Sequence, residues 1–163
     1  MTSPAVVSGA LTWWAALYAD HHAVSVTVRF FHLAGLLFGG GTALLADRHL
    51  LEGRKDAAAR QAALALAGRS HRIVVPSLAV MAVTGMLMAA ADLETFLNSR
   101  LFWTKMGVVA LLLANGGLLV LAERAASRGA GERGWSRLRL FSAASLVLWL
   151  AALLAGTWLT VAA

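Results

Sequence analysis

Residues Ile73 to Ala91, IVVPSLAVMAVTGMLMAAA, run for 19 positions without an ionisable side chain. About 20 such residues in a helix cross the ~30 Å hydrocarbon core of a bilayer. Three more stretches are long and predominantly apolar: Val24 to Ala46, Leu101 to Ala122 and Leu138 to Val161. In lipid, every backbone N–H and C=O must find its partner within the structure, so each stretch is predicted as a helix. No alternating ten-residue pattern of a transmembrane barrel strand is present. The expected fold is therefore all-α: an integral membrane four-helix bundle over residues 24–163, preceded by an outer segment at residues 1–23.

The rest of the composition agrees. Of the 163 residues, 60% are hydrophobic and 13% charged, and mean hydropathy is +0.73; soluble domains carry about a quarter charged residues. The sequence pI of 11.3 and net charge of +6 would suggest nucleic acid in a soluble chain. Here the charges lie in short blocks between apolar runs, which is a topology signal, and no nucleic-acid role is expected. Cysteine is absent, which removes disulfides, thiolate ligands and cysteine nucleophiles.

Orientation follows from Lys and Arg. Arg48, Arg54, Lys55, Arg60, Arg69 and Arg72 lie between the first and second spans, and Arg124, Arg128, Arg133, Arg137 and Arg139 between the third and fourth. The middle connection has Arg100, and residues 1–23 have neither Lys nor Arg. Both basic loops are expected in the cytoplasm, with the N- and C-termini outside. Residues 1–23 lack the basic start of a signal peptide. Trp13, Trp14 and Tyr18 suit a headgroup region, so a short interfacial helix on the outer surface is expected, with a fifth span as the alternative. The Ala-rich, charged stretch from Asp56 to Arg69 is expected to extend the second helix into the cytoplasm. Gly129, Gly131 and Gly134 read as a flexible loop.

Function is sought among ionisable residues inside spans, because each costs several kcal/mol unless partnered. Arg29 and His32 in the first span and Lys105 in the third qualify. Arg29 and His32, three apart, share a helix face with Ser25, Gly35, Gly39 and Ala43. Gly35 and Gly39 form a small-xxx-small pair that admits close helix contact. His32 is therefore expected to point into the bundle, about 12 Å below the outer end at 1.5 Å per residue, with Arg29 and Lys105 gathered near it. Such a set suits several chemistries. Imidazole is a haem-iron ligand and cations pair haem propionates. Met86, Met88 and Met106 offer a thioether as second ligand, and His plus Met also suits Cu(I). The plainer reading has Arg29 and Lys105 snorkelling, His32 hydrogen-bonding a neighbouring helix and the methionines filling gaps. His71 and His49 read as water-facing groups at the cytoplasmic end, and Asp20, His21 and His22 as a solvated turn. Asn115 is expected to hydrogen-bond another helix. Pro76 is expected to kink or start the second one.

Three segments resemble a group of small bacterial membrane proteins that includes the copper-resistance-D (CopD) type, the HemJ-type protoporphyrinogen oxidases and related uncharacterised families. They are Arg29-Phe-Phe-His32-Leu-Ala-Gly35 running on to Asp47-Arg48, then Arg69 through Pro76 to Thr84-Gly85, and Phe102-Trp-Thr-Lys105 followed by Asn115-Gly116. The resemblance implies a multi-pass protein of the bacterial cytoplasmic (inner) membrane that binds haem b through His32, with Arg29 and Lys105 in the site. It also implies a redox role toward a quinone or a partner protein. Leu-Leu-Ala-Asp47-Arg48 replaces the Tyr-Leu-Pro-Arg-type helix end of HemJ, and no His follows the third span, so a CopD-like or uncharacterised relative is implied rather than HemJ activity. The alternatives are a copper-handling transport protein and a cofactor-free accessory subunit.

The charge asymmetry generates a first test. A reporter active only outside the cytoplasm should be active when fused after Ala163, and a cytoplasm-specific reporter at the same position silent; the reverse result would overturn the four-span, both-ends-out arrangement and favour a span within residues 1–23.

Overall fold

The computed structural model describes residues 4–53, 56–129 and 131–162. The backbone is helical nearly throughout. Helix α1 runs Pro4–Asp20, α2 His22–Glu52, α3 Ala57–Ala91, α4 Leu93–Asn98, α5 Arg100–Ser127 and α6 Gly131–Ala162. Four of them, α2, α3, α5 and α6, are long and apolar enough to span a membrane; α1, at 17 residues, falls short of the ~20 a span needs. The protein is an all-α four-helix membrane bundle. Leu37, Phe38, Met86, Leu121, Val147 and Leu154 point outward with large exposed areas, an arrangement stable in lipid and costly in water.

The helices overrun the predicted spans at the basic end. Helix α3 starts 16 residues before Ile73, where the Asp56 carboxylate accepts a hydrogen bond from the Ala59 amide at 2.6 Å and caps the first turn. The expected extension of the second helix is present. Pro76 lies inside α3 and does not start it. The connection from α5 to α6 is short: Gly129 takes the left-handed φ of 85° that ends a helix. Gly134, expected in a loop, is buried within the first turns of α6.

Two antiparallel hairpins form the bundle. Helices α5 and α6 pack against each other along their length, and Asn115 Nδ2 donates to the Phe141 carbonyl at 3.0 Å between them. Helix α2 packs along α3, and its basic-end half also packs on α6. Contact between α3 and α5 is slight. The α2–α3 seam is set by glycine: a Cβ on Gly35 would stand 2.7 Å from Met81 Cγ, and one on Gly39 would stand 2.6 Å from Ser77 Cβ. One π-type turn, Leu36–Gly40, lies here. Next to Gly39, Gly40 faces α6, where its Cβ would stand 3.2 Å from the Trp149 ring. Successive glycines therefore let α2 approach two neighbours at once.

The core gathers at the basic end. Leu50, Ala63, Ala67, Ala122, Trp135 and Leu138 pack together, one or two from each long helix. Arg60 lies 5.2 Å over the Trp135 ring and pairs with Glu132 at 2.7 Å, joining the α3 extension to α6. At the other end α1 folds back onto the bundle, and Trp14 Nε1 donates to the Leu87 carbonyl of α3 at 2.8 Å.

Gly39→Ala should therefore lower stability by about 1–3 kcal/mol, since Ser77 Cβ sits on a helix backbone and can yield little. Gly107→Ala, with nothing within 4 Å of its Cβ, should leave the melting temperature in the same detergent unchanged or raise it.

Candidate functional site

His32 sits three residues before Gly35 on the glycine face of α2 and meets α3 at Thr84 and Gly85. Gly85 makes the approach possible: a Cβ there would stand 3.4 Å from His32 Cε1. His32 Nδ1 is 2.9 Å from Thr84 Oγ1. The Thr84 hydroxyl has one proton, and it is donated along α3 to the Val80 carbonyl at 2.7 Å. Thr84 Oγ1 is then an acceptor, and Nδ1 of His32 donates to it. The Met81 carbonyl, 3.3 Å from the same hydroxyl, is a second acceptor beside the ring. Nδ1 of His32 thus faces two oxygen acceptors, which favours the Nδ1–H tautomer of the neutral ring and leaves the lone pair on Nε2. This is the orientation that metal-binding imidazoles receive from their outer partners.

Lys105 of α5 is half-buried. Its Nζ lies over Gly156 of α6, 3.6 Å from where a Cβ would stand, and it is near enough for its charge to act on His32. The two residues belong to different hairpins, His32 to α2–α3 and Lys105 to α5–α6. Arg29 is placed differently from the expectation. Its guanidinium is exposed and Nε donates to the Tyr18 hydroxyl of α1 at 3.3 Å. A three-residue spacing leaves side chains 60° apart around a helix, and the long arm of Arg29 reaches α1 rather than the His32 pocket. Among the methionines, Met86 faces outward, Met88 and Met106 are half-buried, and Met81 packs at Gly35, one turn from His32.

A second polar cluster lies in the basic-end half, and the sequence reading passed over it. His71 does not simply face water: its Nε2 is 3.0 Å from Glu123 Oε2 of α5. Glu123 is 8% exposed and Asp47 of α2 is 2% exposed. Ser142 and Ser145 of α6 stand beside the Asp47 carboxyl. Asp47, Glu123, His71 and Ser145 line a cavity of about 260 Å³ with otherwise mostly apolar walls. Signals for this cluster existed. Asn115, Leu119 and Glu123 recur at four-residue steps, one helix face, but Glu123 falls one residue past the apolar run that ends at Ala122. His49 hydrogen-bonds the Leu45 carbonyl of its own helix, and Asp20, His21 and His22 are exposed. Among the described residues no group of three or more His, Asp or Glu side chains is placed to hold a metal ion.

This geometry defines an integral membrane bundle with one anchored imidazole in the half nearer α1 and a buried carboxylate pair in the basic-end half. Residues 10–162 match a family of unknown function, DUF6644, and the chain belongs to it. No curated protein and no solved structure matches.

The tautomer is measurable. With ¹⁵N-labelled histidine, neutral His32 should show a protonated Nδ1 and an unprotonated Nε2, and Thr84→Val should weaken that preference because one of its two acceptors is gone.

Proposed function

We propose that this chain is a CopD/HemJ-like, multi-pass protein of the bacterial cytoplasmic membrane, with a redox role served by b-type haem at His32. One observation carries the reading: His32 is fixed through Nδ1 with Nε2 left as a lone-pair donor, and the Lys105 cation lies across from it. Three further features support it. The slight contact between α3 and α5 leaves the hairpins room to part around a flat, apolar group arriving from the bilayer. Gly85 and Gly156 keep the walls thin at His32 and Lys105. The order Arg29, His32, Arg69, Pro76, Gly85 and Trp103-Thr-Lys105 is the pattern that resembles HemJ.

The residues fit the group in a limited way. His32 would hold the iron and Lys105 would pair a propionate, while Arg29, engaged with Tyr18, would act at the rim. No other histidine among the described residues shares the depth of His32, so His32 would be the histidine that holds the group. Bound haem would supply one-electron chemistry, passing electrons between a quinone or small substrate and a partner protein.

Purified protein produced with ample haem, or given haemin in detergent, should show a Soret band. His32→Ala should abolish it, and Lys105→Ala should weaken or shift it, since one propionate loses its cation. His71→Ala and His49→Ala should leave it unchanged. A protein that stays colourless after haemin addition would rule the cofactor out. Copper retained by that protein, and lost in His32→Ala, would assign the site to copper handling.

A further inference from the structure

The sequence holds eight carboxylate side chains: Asp20, Asp47, Glu52, Asp56, Asp92, Glu94, Glu123 and Glu132. Six are exposed, and Asp47 and Glu123 are the two that are buried. They reach the same cavity from opposite sides, Asp47 from α2 and Glu123 from α5. Each has one oxygen shielded from solvent with no hydrogen-bond partner in the protein, Asp47 Oδ2 and Glu123 Oε1, and the neighbouring Ser142 Oγ is likewise unpartnered. They lie close enough for the charge of Glu123 to act on Asp47. Two anions in a low-dielectric space repel, and each unpartnered oxygen there is costly. Both costs fall when one proton is placed between them, because a protonated carboxyl is a donor and its charge is gone.

The charged groups around the pair do not supply that proton's charge in another form. On α2, Arg48 turns out to Glu52 at 2.8 Å. On α3, Arg69 binds the Ala65 carbonyl of its own helix and Arg72 is exposed, leaving His71 as the group that faces Glu123. On α5, Arg124 lines an open groove of about 370 Å³ on the far side of Glu123, together with Arg128. On α6, Arg139 is one turn from Ser142, with a buried Nε that lacks a partner, and does not line the cavity.

Access is also built. His71 and Glu123 line both the inner cavity and the open groove. Their 3.0 Å contact thus borders both the open groove and the cavity that holds the pair. An imidazole carries a proton on either ring nitrogen and passes it by exchanging them. The inner cavity is roomy enough for water to bridge the two carboxylates.

We propose that Asp47 and Glu123 form a proton-holding site that stores one shared proton inside the bundle and exchanges it with the cytoplasmic solution through His71. The site stands on its own geometry and does not depend on haem at His32. It would serve any reaction in the bundle that takes up or releases a proton.

Infrared spectroscopy of the full-length protein in nanodiscs tests this on the wild type itself. A carboxylic-acid C=O band at neutral pH that shifts in D₂O and is lost on substitution of Asp47 reports the pair. The band is expected in wild type, absent in Asp47→Asn and altered in position or intensity in Glu123→Gln. His71→Ala should keep the band and slow its exchange into D₂O at least severalfold. A wild type without the band overturns the proposal, as does a band that survives both substitutions. A band that appears only in Arg139→Gln would show that Arg139 neutralises the pair instead. A melting temperature raised by NaCl but not by choline chloride, with no acid band, would make the cavity a sodium site.

Discussion

Backbone-to-backbone approach of α2 and α3 at Gly35 and Gly39 is the constraint on which the rest of the bundle depends. In lipid there is no hydrophobic force to press helices together, so association relies on close van der Waals contact and on polar bridges. Gly35 and Gly39 put Met81 and Ser77 where a side chain would otherwise stand, and that depth of contact brings His32 within 2.9 Å of Thr84. A wider seam would leave the imidazole without its acceptor and its tautomer undetermined. The same glycine run continues to Gly40, which admits the ring of Trp149 from α6. The seam therefore links local backbone geometry, the joining of the two hairpins and the chemistry available at Nε2.

The two ends of the bundle differ in kind. At the basic end, alanines and leucines from all four long helices interlock around Trp135, with Arg60 stacked on its indole and paired to Glu132. At the opposite end the hairpins are less engaged, and Lys105 lies over Gly156 within its own hairpin. Helix α1 compensates on one side: Trp14 bonds the α3 backbone and Tyr18 meets Arg29 of α2, so this hairpin is braced from outside. The α5–α6 hairpin relies on its own long seam and on Asn115, whose amide bonds the facing helix.

Much of this was legible in the residues. Four long apolar runs fix four helices because lipid offers no other way to satisfy the backbone. Gly35 and Gly39, Asn115 and the Ala-rich extension from Asp56 also read true, since each depends on spacing within one helix. What failed depends on distance between helices. Arg29 and His32 share a face to within 60°, yet a long, flexible Arg side chain crosses to a helix earlier in the chain. His71, Glu123 and Asp47 sit where apolar runs give way to basic loops, and hydropathy treats that boundary as the edge of the protein. The helices continue past it, so charges that read as loop residues are enclosed by neighbours.

The joining of the hairpins around Trp135 and Leu138 has a mechanical consequence. Gly156, beneath Lys105, lies 7 residues along α6 from Trp149, whose ring meets Gly40 of α2, an arm of about 10 Å at 1.5 Å per residue. A change of about 5° in the angle between hairpins, pivoting at that contact, would move this point by about 1 Å over that arm. The space at Lys105 therefore responds more to such a change than the packed end does. The carboxylates near the pivot scarcely move, so the two polar sites are unequal in compliance: one adjusts its width to what enters, and the other keeps a fixed shape.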